Sequence, residues 1–289
     1  MSKDKEKDEV QTTGHEWDGI QEFNNPLPRW WLWVFYVTII WGIGYFIAYP
    51  AWPMITRATP GLIGFSTRAD VQEEIDRFAA MNAEVRAELA SADLTTLADD
   101  SDVYNFAIQS GRATFATFCS QCHGSGAAGA KGYPNLLDND WLWGGDIEAI
   151  AYSIRHGIRN LDDPDAHYAE MPAFGDDYLS DEEIAQVVAY VMSLSPVSKG
   201  DADMTLAADG ETVFADNCAS CHMEDGTGDR AQGAPNLTDA IWLYGSDQAD
   251  IETSVRNGPF GVMPAWGLRL DEAEVKAVAA YVHQLGGGE

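Results

Sequence analysis

The sequence predicts an all-α protein, with one N-terminal transmembrane helix followed by two tandem copies of a small helical unit. Three observations carry this. Twenty uncharged residues run from Trp30 to Tyr49, enough at 1.5 Å per residue to cross the ~30 Å hydrocarbon core of a bilayer. The chain beyond residue 105 aligns with itself, as duplicated units do. Apolar residues in both copies recur at helical spacing, as in Ile184, Val187, Val188 and Val191, or Val275, Val278, Tyr281 and Val282.

Composition bounds the function. A chain of 289 residues, 46% hydrophobic, suits two domains or three. A net charge of −29 excludes nucleic acid as a partner, because a phosphate backbone demands a basic face. It suits a basic protein partner drawn in by long-range attraction. Solubility would be served by the same charge, and charge alone does not separate the two.

In chain order, residues 1–29 form a polar, mostly acidic tail, broken by Asn24-Asn25-Pro26-Leu27-Pro28 before the apolar run. Residues 30–50 are the anchor. Trp30, Trp31 and Trp33 at one end and Tyr45, Tyr49 and Trp52 at the other form the interfacial aromatic belts of a spanning helix. The run exceeds the ~7–15 residue core of a signal peptide, and its leader is long and acidic, so the anchor is expected to stay uncleaved. Residues 51–102 read as a linker with one amphipathic helix. Thr67 to Asp70 fits a capping box, and Val71, Ile75, Phe78, Val85 and Leu89 share a face. That face either packs on the chain's own next domain or docks on a neighbouring membrane subunit. Asp93, Asp99, Asp100 and Asp102 mark a solvated connection to two expected domains, 103–198 and 199–289.

The duplication is explicit. Gly111, Phe115 and Cys119 match Gly210, Phe214 and Cys218 at an offset of 99. Pro134-Asn135-Leu136, Trp141 and Arg155 match Pro235-Asn236-Leu237, Trp242 and Arg256 at 101. Met171-Pro172 matches Met263-Pro264 at 92, and Ala189-Tyr190-Val191 matches Ala280-Tyr281-Val282 at 91. The falling offset places nine extra residues between Gly157 and Met171 of the first copy, in a loop that carries His167.

The chemistry lies in Cys119-Ser120-Gln121-Cys122-His123 and Cys218-Ala219-Ser220-Cys221-His222, which use all four cysteines of the chain. Cys-x-x-Cys-His is the spacing that fixes a c-type haem: the thiols become thioethers and the adjacent histidine is held to ligate the iron. A four-cysteine zinc ribbon brings its pairs within ~15–20 residues, whereas Cys122 and Cys218 are 96 positions apart. A thioredoxin-like dithiol needs a βαβ context, and helical pattern precedes both motifs. Two covalent haem c groups are therefore expected, with His123 and His222 as proximal ligands. Because haem attachment in bacteria happens outside the cytoplasmic membrane, the tail is expected in the cytoplasm and everything after the anchor in the periplasm.

Met171 and Met263 are the distal candidates, since both precede proline and both lie between haem motif and last helix. Histidine plus methionine closes the iron to oxygen and peroxide and leaves electron transfer as its task. Within-copy pairing, Met171 with His123 and Met263 with His222, is the economical arrangement; a crossed one satisfies the spacing as well. His156 is replaced by Asn257 in the second copy, which argues against a ligand, and His167 reads as a surface residue or a competing ligand. Arg155 and Arg256 are candidates for haem propionates or for plain surface pairs. Trp141, Trp143, Trp242, Tyr244, Phe174 and Trp266 suit packing on or near porphyrin.

Residues 105–289 resemble two class I cytochrome c domains. Asn25-Pro26-Leu27-Pro28-Arg29-Trp30-Trp31, Gly14-His15-Glu16-Trp17-Asp18-Gly19-Ile20 and Tyr49-Pro50-Ala51-Trp52-Pro53 resemble the anchor flanks of subunit III of the cbb3-type cytochrome c oxidase. The resemblance implies a non-catalytic subunit that takes electrons from a cytochrome c donor. It would pass them through its haems toward a monohaem subunit and the haem–copper catalytic subunit. A dihaem subunit of another periplasmic complex is the competing reading. A dihaem peroxidase or gas sensor would need an open haem, which two equivalent Met-Pro sites oppose.

Overall fold

The computed structural model describes residues 11–289 apart from Asp177. The chain divides into two compact bodies at Met81.

In the first body, β1 (Thr12–Trp17) and β2 (Ile20–Phe23) form an antiparallel hairpin where the sequence suggested only a polar tail. Asp18 and Gly19 turn it, both at positive φ (48° and 83°), the geometry that makes Asp-Gly a two-residue hairpin turn. α1 (Arg29–Ala48) follows Pro28 and carries no charged residue after Arg29. Among the described residues it is the one helix long and apolar enough to cross a membrane. The carbonyls at its end are satisfied by the returning chain: Leu62 N–H donates to Ile47 O at 3.0 Å and Ile63 N–H to Ala48 O at 3.2 Å. α2 (Thr67–Met81) begins one residue earlier than the expected capping box. Ser66, not Thr67, is the cap, its Oγ accepting from Ala69 N–H at 3.3 Å. Val71, Ile75 and Phe78 are exposed on this helix.

The expected single helix ends at Asn82, and its remainder, α3 (Ala83–Ser91), belongs to the second body. There Leu89 is fully buried against Val103, Ala107 and Ala277. The half of that apolar face on α3 thus packs on the chain's own second body, while the half on α2 is exposed.

The second body holds α4 (Ser101–Thr114), α5 (Ser120–His123), α6 (Ile147–His156), α7 (Asp181–Leu194), α8 (Met204–Asn217), α9 (Ala219–His222), α10 (Gln248–Asn257) and α11 (Glu272–His283). Each copy is capped alike. Asp146 and Asp247 cap α6 and α10, while Ser180 with Glu183 and Asp271 with Glu274 form reciprocal capping boxes on α7 and α11.

The copies do not pack as the boundaries 103–198 and 199–289 imply. α4 of the first copy packs on α11 of the second, and α8 of the second on α7 of the first. One core joins Phe115, Ile150 and Ile154 to Leu270, Val275, Val278 and Val282. The other joins Phe174, Ile184, Val187 and Val191 to Phe214, Ile251 and Val255. In chain order, a complete helical unit built from residues 171–258 interrupts another built from 82–158 and 261–289. The inner unit is a circular permutation of the outer one.

Glycine makes both helix pairs possible. A Cβ at Gly111 would meet the Ala277 carbonyl and Tyr281 Cβ; one at Gly210 would meet the Gln186 carbonyl and Tyr190 Cβ. The adjoining aromatic pairs repeat the relation, with ring centroids 5.5 Å apart for Phe115–Tyr281 and 5.2 Å for Tyr190–Phe214.

Candidate haem-binding sites

Each Cys-x-x-Cys-His motif follows directly from the N-terminal helix of its unit. In the second copy the helix continues in α geometry, with Cys218 N–H donating to Phe214 O at 2.8 Å. In the first, residues 115–119 widen to one π turn, Ser120 N–H bonding to Phe115 O. Cys119 and Cys218 are half-buried against the two cores, and Cys122 and Cys221 are exposed. Burial, with the neighbouring thiol of each pair, pushes Cys119 and Cys218 up to about 11, so each is a protonated thiol at neutral pH in the unmodified chain.

The histidines are oriented identically. His123 Nδ1 lies 3.0 Å from Pro134 O and His222 Nδ1 lies 3.1 Å from Pro235 O. A carbonyl can only accept, so Nδ1 carries the proton and the Nε2 lone pair is left to ligate. Burial holds both rings below the usual imidazole range, against the raising effect of the proline carbonyl, so both are neutral at pH 7.

Methionine placement follows the crossed packing. Met263 packs on the core that holds Cys119, Leu136, Trp141 and Trp266; Met171 packs on the core that holds Cys218, Leu237 and Trp242. Backbone pairing fixes both loops. Ile158 N–H donates to Met263 O and Met263 N–H to Ile158 O, each at 3.0 Å, while Phe174 N–H donates to Val255 O at 3.1 Å and Gly175 N–H to Arg256 O at 3.0 Å. Gly157 (φ 77°) and Gly258 (φ 63°) end α6 and α10, and a Cβ on either would strike the carbonyl of Met263 or Met171 respectively. Each methionine therefore packs on the core of the other copy's motif, which is the crossed one of the two arrangements. The spacing allowed both, and the exchange of last helices carries each Met-Pro loop to the other copy's motif.

Arg155 and Arg256 stand on carboxylates. Arg155 Nη2 donates to Glu272 Oε1 at 2.6 Å, and Arg256 donates to Asp181 Oδ1 and Glu252 Oε1, each at 2.7 Å. They tie α6 to α11 and α10 to α7, the surface pairing that the sequence also allowed. His156 is bound to Asp163 at 3.0 Å. His167 is half-buried: its Nε2 and Trp143 Nε1 are buried without a hydrogen-bond partner, and the two rings stack at 4.3 Å. Trp141 Nε1 donates to Gly287 O at 2.5 Å and Trp242 Nε1 to Ser195 Oγ at 3.2 Å, so both indoles are anchored at the wall of a core.

These residues fit haem c. Paired thiols, a neutral histidine with a free Nε2 and a thioether converge on each core, and Trp143 Nε1 is a buried donor without a partner. The reading from sequence missed Arg159, whose half-buried guanidinium lies between the two copies; the first-copy insert had drawn attention only to its histidine.

Comparison with known proteins agrees. The description "Cytochrome C oxidase, cbb3-type, subunit III" matches residues 106–191 and 205–282, and "N-terminal domain of cytochrome oxidase-cbb3, FixP" matches residues 9–56. The chain is 61% identical over 282 residues to the cbb3-type cytochrome c oxidase subunit CcoP of Cereibacter sphaeroides, covering 97% of this chain and 96% of the relative. It is 52% identical to the CcoP of Rhodobacter capsulatus, covering 98% of both chains. It is 50% identical to the FixP of Azorhizobium caulinodans, covering 96% of this chain and 94% of the relative. The chain belongs to the family of cbb3-type cytochrome c oxidase subunit III, whose members bind haem c.

Proposed function

We propose that this chain holds two haem c groups and relays electrons from a cytochrome c donor to the haem–copper catalytic subunit of a cbb3-type oxidase. As a family member it is the electron-transfer subunit, not the catalytic one, and it works alongside the other oxidase subunits, anchored in the membrane by α1. Bound haem supplies reversible one-electron oxidation and reduction. The chain's residues do the rest. Cys119 and Cys122, and Cys218 and Cys221, hold the two groups covalently. His123 and His222 would ligate the iron, their rings oriented by the proline carbonyls. Met263 serves the His123 site and Met171 the His222 site, shutting out oxygen and peroxide and favouring the reduced iron. The observation that carries the reading is the twofold occurrence of one constellation: motif, Nδ1-to-proline bond and a methionine packed on the same core.

The monohaem cytochrome c subunit is the expected partner on the path inward. The acidic surface fits a donor with a basic face. The N-terminus lies in the cytoplasm and the haem units in the periplasm of a bacterial inner membrane, because haem attachment is an extracytoplasmic reaction. Mass spectrometry of the mature chain tests the reading: the 31.6 kDa polypeptide is expected to carry two haem masses, co-purify with the oxidase and show no free thiol. A mass equal to the polypeptide with four titratable thiols would contradict it.

A further inference from the structure

Arg159 is a half-buried cation between the two copies. In a chain with 46 acidic and 17 basic residues, its half-buried guanidinium forms no ion pair among the described residues. Nε donates to Gly261 O at 2.6 Å and Nη1 to Ala169 O at 3.2 Å, and the group lies over the Phe260 ring at 5.6 Å. Nη2 makes no hydrogen bond among the described residues. It lies beside Gly261, where an added Cβ would be 3.2 Å from Tyr244 Oη and 3.8 Å from Arg159 Nη2. Burial drags the guanidinium below its usual range, opposed by Tyr244 and Tyr168, as expected of a charge without its counter-ion. The backbone is also strained, at φ 52°, and is held there by Arg159 N–H donating to His167 O at 2.7 Å.

The surroundings are nearly symmetric between copies, and Arg159 breaks the symmetry. Tyr244 packs on Gly132, which leads into the Pro134 carbonyl that orients His123. Trp143 packs on Gly233, which leads into Pro235 and His222. Trp143 and Tyr244 are repeat equivalents, as are Gly132 and Gly233, at the offset of 101. Arg159 follows Gly157 by two residues as Phe260, the ring it covers, follows Gly258. One of two similar sites therefore has a cation that the other lacks.

We propose that Arg159 binds a propionate carboxylate of the haem held by Cys119 and Cys122, and so raises that haem's potential above the value its ligands alone would set. A fixed cation paired with the propionate opposes the ferric charge and favours the reduced state. Arg159 is a positioning residue, acting through the propionate and not through the iron. The inference rests on the two-haem reading.

The test is a spectroscopic redox titration of the full chain in detergent. Wild type is expected to show two one-electron waves; a single wave would count against the two-haem reading itself. In Arg159→Gln, one wave is expected to fall about tenfold in Fe(II)/Fe(III) ratio at fixed potential, equivalent to about 59 mV, while the other holds. The shift should persist when Cys218→Ser and Cys221→Ser leave only the first haem. Two waves that both stay in place, or that move together, would overturn the assignment while leaving the two-haem reading intact. Should Arg159→Gln fail to fold, resonance Raman of Arg159→Lys reads the propionate deformation band directly. A displaced band supports the assignment and an unchanged one overturns it.

Discussion

Ile158 and Met263 exchange both backbone hydrogen bonds, each at 3.0 Å, across 105 positions of sequence. That reciprocal pair sews the methionine loop of the second copy onto the end of α6 in the first. With its counterpart at Phe174–Val255, it turns two tandem repeats into one unit inserted in another. Neither unit can be excised by cutting the chain between the copies.

The close helix crossings give the first prediction. Gly111→Val and Gly210→Val each push a branched side chain into a partner helix's backbone and force the helices apart. Each is expected to destabilise by about 3 kcal/mol, read as a lowered Tm by circular dichroism of the haem-loaded chain. Because Gly111 faces α11, the loss should be accompanied by faster proteolysis of the C-terminal segment. A Gly111→Val chain as stable as wild type would contradict the crossed packing.

The arginines on carboxylates give the second. Arg155→Ala and Arg256→Ala remove ion pairs that are partly exposed, and such pairs add little to stability. Haem potentials should stay where they are in both variants. A clear fall in one potential would restore the propionate role considered from sequence.

A pH dependence gives the third. Burial, reinforced by Asp239 and Asp138 and only partly offset by Arg230, raises the Asp140 carboxyl to about 6. The folded state thus binds this proton more tightly than the unfolded chain does. The group's penalty on folding is full above pH ~6 and fades as pH falls toward its ordinary value. Asp140→Asn should therefore raise Tm at about pH 8, by the equivalent of about 1 kcal/mol for a half-exposed group. The gain should vanish near pH 4; a gain that grows on acidification would show the sign to be wrong.

Much of the site was readable because its determinants are local. Cys-x-x-Cys-His, the proline after each motif, the Met-Pro pairs and the caps of the last helices each act within a few residues. The connectivity was not local. Both last helices carry Ala-Tyr-Val and both first helices carry Gly-x-x-x-Phe, so either last helix fits either first helix. A usable signal existed in the nine residues 195–203 between α7 and α8, since helices joined by short connections usually pack as neighbours. Asp18-Gly19 likewise marks a hairpin turn that acidic composition obscured. Arg159 left no trace in the motifs, because its significance is a missing carboxylate partner, which only packing reveals.

The crossed arrangement turns on which sulfur faces which motif. The most direct measurement uses Cys218→Ser with Cys221→Ser, so that only the haem on Cys119 and Cys122 is attached, and records near-infrared magnetic circular dichroism for the methionine–iron charge-transfer band. Adding Met263→Ala is expected to abolish that band and adding Met171→Ala to leave it in place. The reverse result, loss with Met171→Ala and retention with Met263→Ala, would contradict the crossed arrangement.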